Sequence, residues 1–295
     1  MSKEIFRGIA TALITPFNDK GVDYESYGRL IDWQIESGID ALVSCGTTGE
    51  SPTLSVEEHK EVIRFAVERV AGRVPLVAGT GSNCTESAIE LTEFASEVGA
   101  DGALVVTPYY NKATQNGLVA HFTAIADKSK IPLILYNVPS RTGCGILPQT
   151  YLKLARHERI QAIKEANGDI SRIVETAALI QGKLDLYSGN DDQIVPILSV
   201  GGIGCISVLS NVLPRETTEI CRRYFAGDAA GAAALQFQYL ELIHALFCEV
   251  NPIPVKTALA AMGMCGGELR LPMTPMEEPN RQRLLKAMRE QGLRV

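Results

Sequence analysis

An α/β chain folded as a (β/α)8, or TIM, barrel with a C-terminal helical extension is predicted by three features of this sequence. Eight short runs rich in valine, isoleucine and leucine recur at intervals of roughly 20 to 33 residues. None alternates cleanly between apolar and polar, as expected of parallel strands buried on both faces. Amphipathic stretches with helical spacing lie between them, and tight turns bearing glycine and proline join the two kinds of segment. An open doubly wound sheet is the structural alternative.

The runs begin GIATALI at Gly8, DALVSC at Asp40, VPLVAG at Val74, GALVVT at Gly102, PLILYN at Pro132, IQAIK at Ile160, LDLYSG at Leu184 and GIGCISVL at Gly202. Tyr27, Leu30, Ile31 and Ile35 share a helical face after the first run. After the second, Val56, His59, Val62, Ile63, Ala66, Val67 and Val70 do the same behind a capping box formed by Ser55 and Glu58. Strand signals stop near residue 226. There GDAAGAAALQFQYLELIHALFCEV reads as one long helix, separated by Pro252 and Pro254 from a second over NPIPVKTALAAMG, with EPNRQRLLKAMREQG as a third. Residues 1–225 are therefore expected to form the catalytic barrel and 226–295 a helical region.

Composition narrows the function. With 295 residues and 46% hydrophobic content the chain can bury a sizeable core. A formal net charge of -6 without a long basic run argues against a nucleic-acid partner, whose phosphates demand clustered lysine and arginine. The segment MSKEIFRGIATALITPF has no signal-peptide architecture, and no run approaches the roughly 18 apolar residues of a membrane span, so a cytoplasmic enzyme with no membrane partner is expected. Cys45, Cys84, Cys144, Cys205, Cys221, Cys248 and Cys265 are odd in number and form no CxxC, so they read as reduced thiols. His59, His121, His157 and His244 show no metal-ligand spacing, and no metal site is expected.

In a barrel of this kind the chemistry sits at the carboxyl ends of the strands. The second run ends in GTTGE, with Thr47 and Thr48; the fourth in TPYYN, with Tyr109 and Tyr110; the fifth in Tyr136 and a turn through Arg141. Lys164 is on the sixth, Gly189 follows the seventh, and Ile206 lies on the eighth. Each admits a purely structural reading. Gly46 and Gly49 would supply positive φ to a tight turn; the tyrosines would pack; Arg141 would be a solvated charge; Lys164 would snorkel to solvent beside Glu165. Gly189 and the GGIG run at Gly201 would permit turns or cradle a phosphate. Convergence on one rim favours a site. A lysine held in an apolar run is pushed toward its neutral, nucleophilic form.

The stretches GTTGES, TPYYNK, YNVPSRTG, AIKEANGD and NPIPVK add a resemblance over essentially the whole chain. The sequence resembles the dihydrodipicolinate synthase family, within the pyruvate-dependent lyases and aldolases that also include N-acetylneuraminate lyase. GTTGE and the lysine belong to the broader group; Arg141 in SRTG, PYYN and KEANGD favour the synthase branch over lyases of sialic or 2-keto-3-deoxy sugar acids. A catalytically silent 2-oxo-acid-binding barrel would not need Lys164, Tyr136 and Thr48 together. The resemblance implies condensation of pyruvate with L-aspartate 4-semialdehyde to 4-hydroxy-tetrahydrodipicolinate, the first committed step toward diaminopimelate and lysine, through a covalent imine on Lys164 and with no cofactor. With no histidine or carboxylate expected beside the lysine, Thr48, Tyr136 and Tyr110 would relay protons. Thr47 and Thr48 would hold the pyruvate carboxylate, Arg141 that of the semialdehyde, and Gly189 and Ile206 would offer backbone contacts. A homotetramer built as a dimer of dimers is implied, with Tyr110 reaching into the partner's site. Ser51, His59, Asn83 and Tyr109 match a lysine effector site, but Val56 and Ser87 replace a histidine and a glutamate of sensitive relatives, and Ala113 replaces a usual proline.

Overall fold

In the computed structural model, which describes residues 4–295, eight parallel strands close into a barrel. They are β1 (Gly8–Ala12), β2 (Ala41–Ser44), β3 (Leu76–Gly79), β4 (Gly102–Val106), β5 (Leu133–Asn137), β6 (Ile160–Glu165), β7 (Asp185–Ser188) and β8 (Gly204–Ser207). Every one of the eight apolar runs supplies a strand. β1 pairs with both β2 and β8, so no edge is left open. The principal outer helices are α1 (Tyr24–Glu36), α2 (Val56–Val70), α3 (Thr85–Val98), α4 (Gln115–Lys128), α5 (Pro148–Leu154), α6 (Ile170–Ile180), α7 (Ile194–Ser199) and α8 (Pro214–Phe225).

The Ser55–Glu58 capping box is formed, and His59, Val62, Ile63, Ala66 and Val70 of α2 are buried. Val56 is not: at the first turn, beyond the edge of the packed stripe, it stays 47% exposed. A two-stranded ribbon, Phe17–Asn18 against Gly21–Val22, was not foreseen, because two-residue strands carry no readable period. The expected long helix after residue 226 is two, α9 (Ala229–Gln238) and α10 (Leu240–Ala245). The ladder opens at Tyr239, near φ -93° and ψ 1°, and the chain beyond it buries Leu242, Ile243 and Ala245. α11 (Ile253–Ala261) carries Pro254 in its first turn, where a missing N–H costs nothing, and α12 (Glu278–Glu290) follows. The buried faces of α9 to α12 share one core with α1, α2 and α8.

Inside the barrel, small residues such as Ala10, Ala41 and Ala162 leave room for Phe6, Tyr136 and Tyr187. Phe6 stacks on Tyr187 with centroids 4.2 Å apart, and the Tyr187 hydroxyl donates to the Phe6 carbonyl at 2.6 Å. Alternation of side chains sends Ile134 and Tyr136 of β5, and Ala162 of β6, inward. Leu133 and Leu135, with Ile163, face the helices. That parity decides which residues can form a site.

Candidate active site

Lys164 occupies an inward position near the end of β6, directly across from Tyr136 on β5 and Tyr187 on β7. It is only 7% exposed, and its Nζ lies 4.2 Å from the centroid of the Tyr136 ring. The snorkelling alternative does not hold. Gly189 explains part of the placement: a Cβ there would come 3.0 Å from Lys164 Cε and 2.7 Å from Ala166 Cβ. The glycine is not a positive-φ turn residue; it makes room for the lysine stem and for Ala166.

Lys164 and Tyr136 lie in a cavity of about 190 Å³ that also presents Thr47, Thr48, Arg141, Gly189 and Asn251. The loop after β2 bends through left-handed backbone at Cys45 and Glu50, both at φ 53°, rather than at Gly46 and Gly49 as expected. Gly49 is small for another reason, since a Cβ would sit 3.2 Å from both the Cys45 Cα and Thr15 Oγ1. The Gly49 and Glu50 amides fold back on the carbonyls of Gly46 and Thr47. Among the described residues the Thr47 and Thr48 amides have no such acceptor, which suits them to an anion. The Thr48 hydroxyl accepts from Asn251 Nδ2 at 3.0 Å, so its own proton is available to donate.

Arg141 sits on a single helical turn, Pro139–Thr142, started by proline and ended by Gly143 at φ 65°. Its Nη2 donates to the Asn251 carbonyl at 3.3 Å. Asn251 thus touches both Thr48 and Arg141, while its Oδ1 is buried without a partner. Only the match of NPIPVK hinted at this residue; its contacts reach back 203 and 110 positions, beyond any local signal.

Two carboxyl groups to which the sequence reading gave no role stand near the lysine. Asp191 is buried, accepts from the Val208 and Leu209 amides at 3.0 and 2.9 Å, and is pushed up by burial, against the lowering effect of its hydrogen bonds to Ser207, Leu209 and Val208 and, least, of Lys164. Glu165, facing out of the barrel, is pushed up to about 7 by burial despite four hydrogen bonds.

Other predicted residues fall elsewhere. Tyr110 is 91% exposed at φ 69°, outside this cavity, and Tyr109 is half-buried. Ile206 packs in the barrel interior, and Val208 lines the cavity beyond it. Ser51 borders a small adjoining space with Thr47 and Tyr136. His59, lowered by burial, meets the Gly79 carbonyl through Nε2 at 2.7 Å, and the Asn83 carbonyl accepts from Asn111 at 2.9 Å. A larger cleft of about 560 Å³ opens beside Leu184 and Asp185, at the opposite end of the barrel from Lys164. Size does not mark the site. Among the described residues no group of histidine, cysteine and acidic side chains is arranged to hold a metal.

Comparison with known proteins agrees over the whole chain. The model of the dihydrodipicolinate synthetase family matches residues 5–291. A 4-hydroxy-tetrahydrodipicolinate synthase of Lachnoclostridium phytofermentans is 54% identical over 291 residues, 98% of this chain and 99% of the relative. The crystal structure of a dihydrodipicolinate synthase from Aquifex aeolicus superposes with a TM-score of 0.97 at 47% identity, covering 98% of this chain and 99% of that one. A dihydrodipicolinate synthase variant characterised as monomeric gives a TM-score of 0.96 at 43% identity, with 98% of each chain covered.

Proposed function

The chain belongs to the dihydrodipicolinate synthetase family and has the synthase activity of its relatives, condensing pyruvate with L-aspartate 4-semialdehyde to 4-hydroxy-tetrahydrodipicolinate on the route to lysine; we propose that Lys164 is the amine on which this happens. The observation that carries the assignment is a buried lysine against the Tyr136 ring, in a cavity rimmed by Thr47, Thr48 and Arg141.

Neutral Lys164 attacks the ketone carbon of pyruvate, and loss of water leaves an imine. The imine draws electrons from the methyl group, which gives up a proton to form an enamine. The enamine carbon bonds to the aldehyde carbon of the semialdehyde, whose oxygen takes a proton. The semialdehyde amine then adds to the imine carbon, closes the ring and expels Lys164. The electron sink is the imine itself, so no cofactor enters the scheme.

Tyr136, across the barrel wall from Lys164, carries protons with Thr48, and Tyr110 completes the relay from a neighbouring copy in a tetramer built of dimers. Its exposure supports that reading. The amides of Thr47 and Thr48 receive the pyruvate carboxylate, and the Arg141 fork receives that of the semialdehyde. Gly189 and Ile206 contribute backbone contacts to the bound intermediates. Ser51, His59, Asn83 and Tyr109 form a weak lysine site. The seven unpaired cysteines suit a reducing cytoplasm, and no helix among the described residues is long and apolar enough to cross a membrane.

The decisive experiment supplies pyruvate with aspartate semialdehyde or with sugar-derived aldehydes and identifies products by mass spectrometry. Turnover with the semialdehyde alone, lost in Arg141→Ala, is expected. Preference for a polyhydroxy aldehyde would overturn the substrate assignment.

A further inference from the structure

Immediately beyond Tyr136 and Lys164 stand Asn137 and Glu165, which oppose each other across β5 and β6. Parity turns them to the outer face, between sheet and helices, where Asn137 is 1% and Glu165 0% exposed. Asn137 Nδ2 donates to the Glu165 oxygens at 2.9 and 3.2 Å, the Tyr151 hydroxyl of α5 at 3.1 Å and the Asn167 amide at 3.2 Å. Asn137 Oδ1 in turn accepts from the Ile146 amide at 3.0 Å, tying in the segment that follows Arg141. Tyr151 is itself fully buried.

The start of the β5–β6 pairing does not set the register of its end, because the register shifts between Leu133 and Ile134. The strand ends are instead fastened by a buried carboxyl group that gathers donors from β5, from α5 and from its own turn. A slip or twist that moved Lys164 relative to Tyr136 would break several of these bonds at once, each costly to leave unmade in the interior.

We infer that Glu165, with Asn137 and Tyr151, is a positioning unit that fixes the Lys164 amine against Tyr136. The inference rests on the reading of Lys164 as nucleophile and Tyr136 as proton carrier. It makes Glu165 a positioning residue rather than a bystander on the strand.

The test compares wild type, Glu165→Gln and Tyr151→Phe at pH 8. Sites able to form the imine are counted by reduction of bound [14C]pyruvate with borohydride, and kcat is expressed per trapped site. Glu165→Gln, which turns an accepting oxygen into a donor facing other donors, is expected to lose about tenfold to a hundredfold in kcat per trapped site, as misplaced reacting groups do. Tyr151→Phe is expected to lose less, on the order of threefold to tenfold, with KM for the semialdehyde held within about twofold in both. If both variants merely trap fewer sites and each remaining site turns over normally, the network only holds the fold and the inference is wrong. If wild type traps pyruvate at a residue other than Lys164, the reading of the reaction fails first and takes the inference with it.

Discussion

At Lys164 the side chain lies against the Tyr136 ring, and the absence of a Cβ at Gly189 leaves room for its stem. The glycine is testable. Gly189→Ala would bring its methyl to 3.0 Å from Lys164 Cε and 2.7 Å from Ala166 Cβ, so the variant should lose stability, and imine formation per folded molecule, measured as single-turnover trapping, should slow by about tenfold or more. Glu165 gives a pH prediction. Its folded-state value of about 7 lies above the ordinary 4.5, so the fold holds that proton more tightly than the unfolded chain does. Its contribution to stability is present below pH 4.5 and is lost as pH rises through about 7. Between pH 5 and pH 8 wild type should therefore lose about 2 to 3 kcal/mol relative to Glu165→Gln in denaturant titrations, and an unchanged gap would contradict the assignment. Lysine is expected to inhibit only above about 1 mM at saturating pyruvate, because Ser87 supplies no carboxylate and Val56 no imidazole. Strong inhibition below that concentration would show that another group, such as Glu86, replaces the missing carboxylate. That Lys164, Thr48, Tyr136 and Arg141 share one cavity was readable because they fall at or just beyond strand ends. The reasons for Gly189 and Asn251 were not, since one depends on a neighbouring strand's side chain and the other on contacts across much of the chain.

At the level of elements, the loop that carries Thr47 and Thr48 is anchored by the C-terminal helices. Glu50, at the end of that loop, pairs with Lys256 of α11 at 2.5 Å, with both side chains essentially unexposed. Lys256 also donates to the Glu268 carbonyl at 2.8 Å and lies 3.9 Å from the Phe17 ring centroid, while the Arg270 amide donates to Glu50 at 3.3 Å. Removing one partner leaves an uncompensated buried charge. Lys256→Met should cost about 3 to 5 kcal/mol in urea titrations, and Glu50→Gln combined with it should recover part of that loss. A loss below about 1 kcal/mol would mean the pair is not buried as described. None of this was legible beforehand: residues 50 and 256 are far apart in sequence, and the ribbon carrying Phe17 is too short to show a pattern. The eight strands were legible because parallel strands covered on both faces must be apolar almost throughout. The single helix expected after residue 226 failed at Tyr239, where burial of the downstream face outweighed uninterrupted helical bonding.

For the molecule as a whole, Lys164 lines the cavity at the barrel rim, and Tyr110 stands exposed outside it. The relative characterised as monomeric makes assembly a question for this chain itself. Tyr110→Phe and Lys164→Ala proteins, each inactive, are expected to regain up to about a quarter of wild-type activity when unfolded and reassembled together, because half of randomly formed dimers are mixed and each mixed dimer has one intact site. No recovery, with mixed dimers demonstrated, would place Tyr110 in its own subunit's chemistry. The central claim is that one residue carries the covalent intermediate. Incubation with pyruvate and borohydride, followed by digestion and mass spectrometry, should yield a single reduced adduct on the peptide containing Lys164 and none in Lys164→Ala; an adduct on any other lysine, or no adduct in an active enzyme, would contradict it.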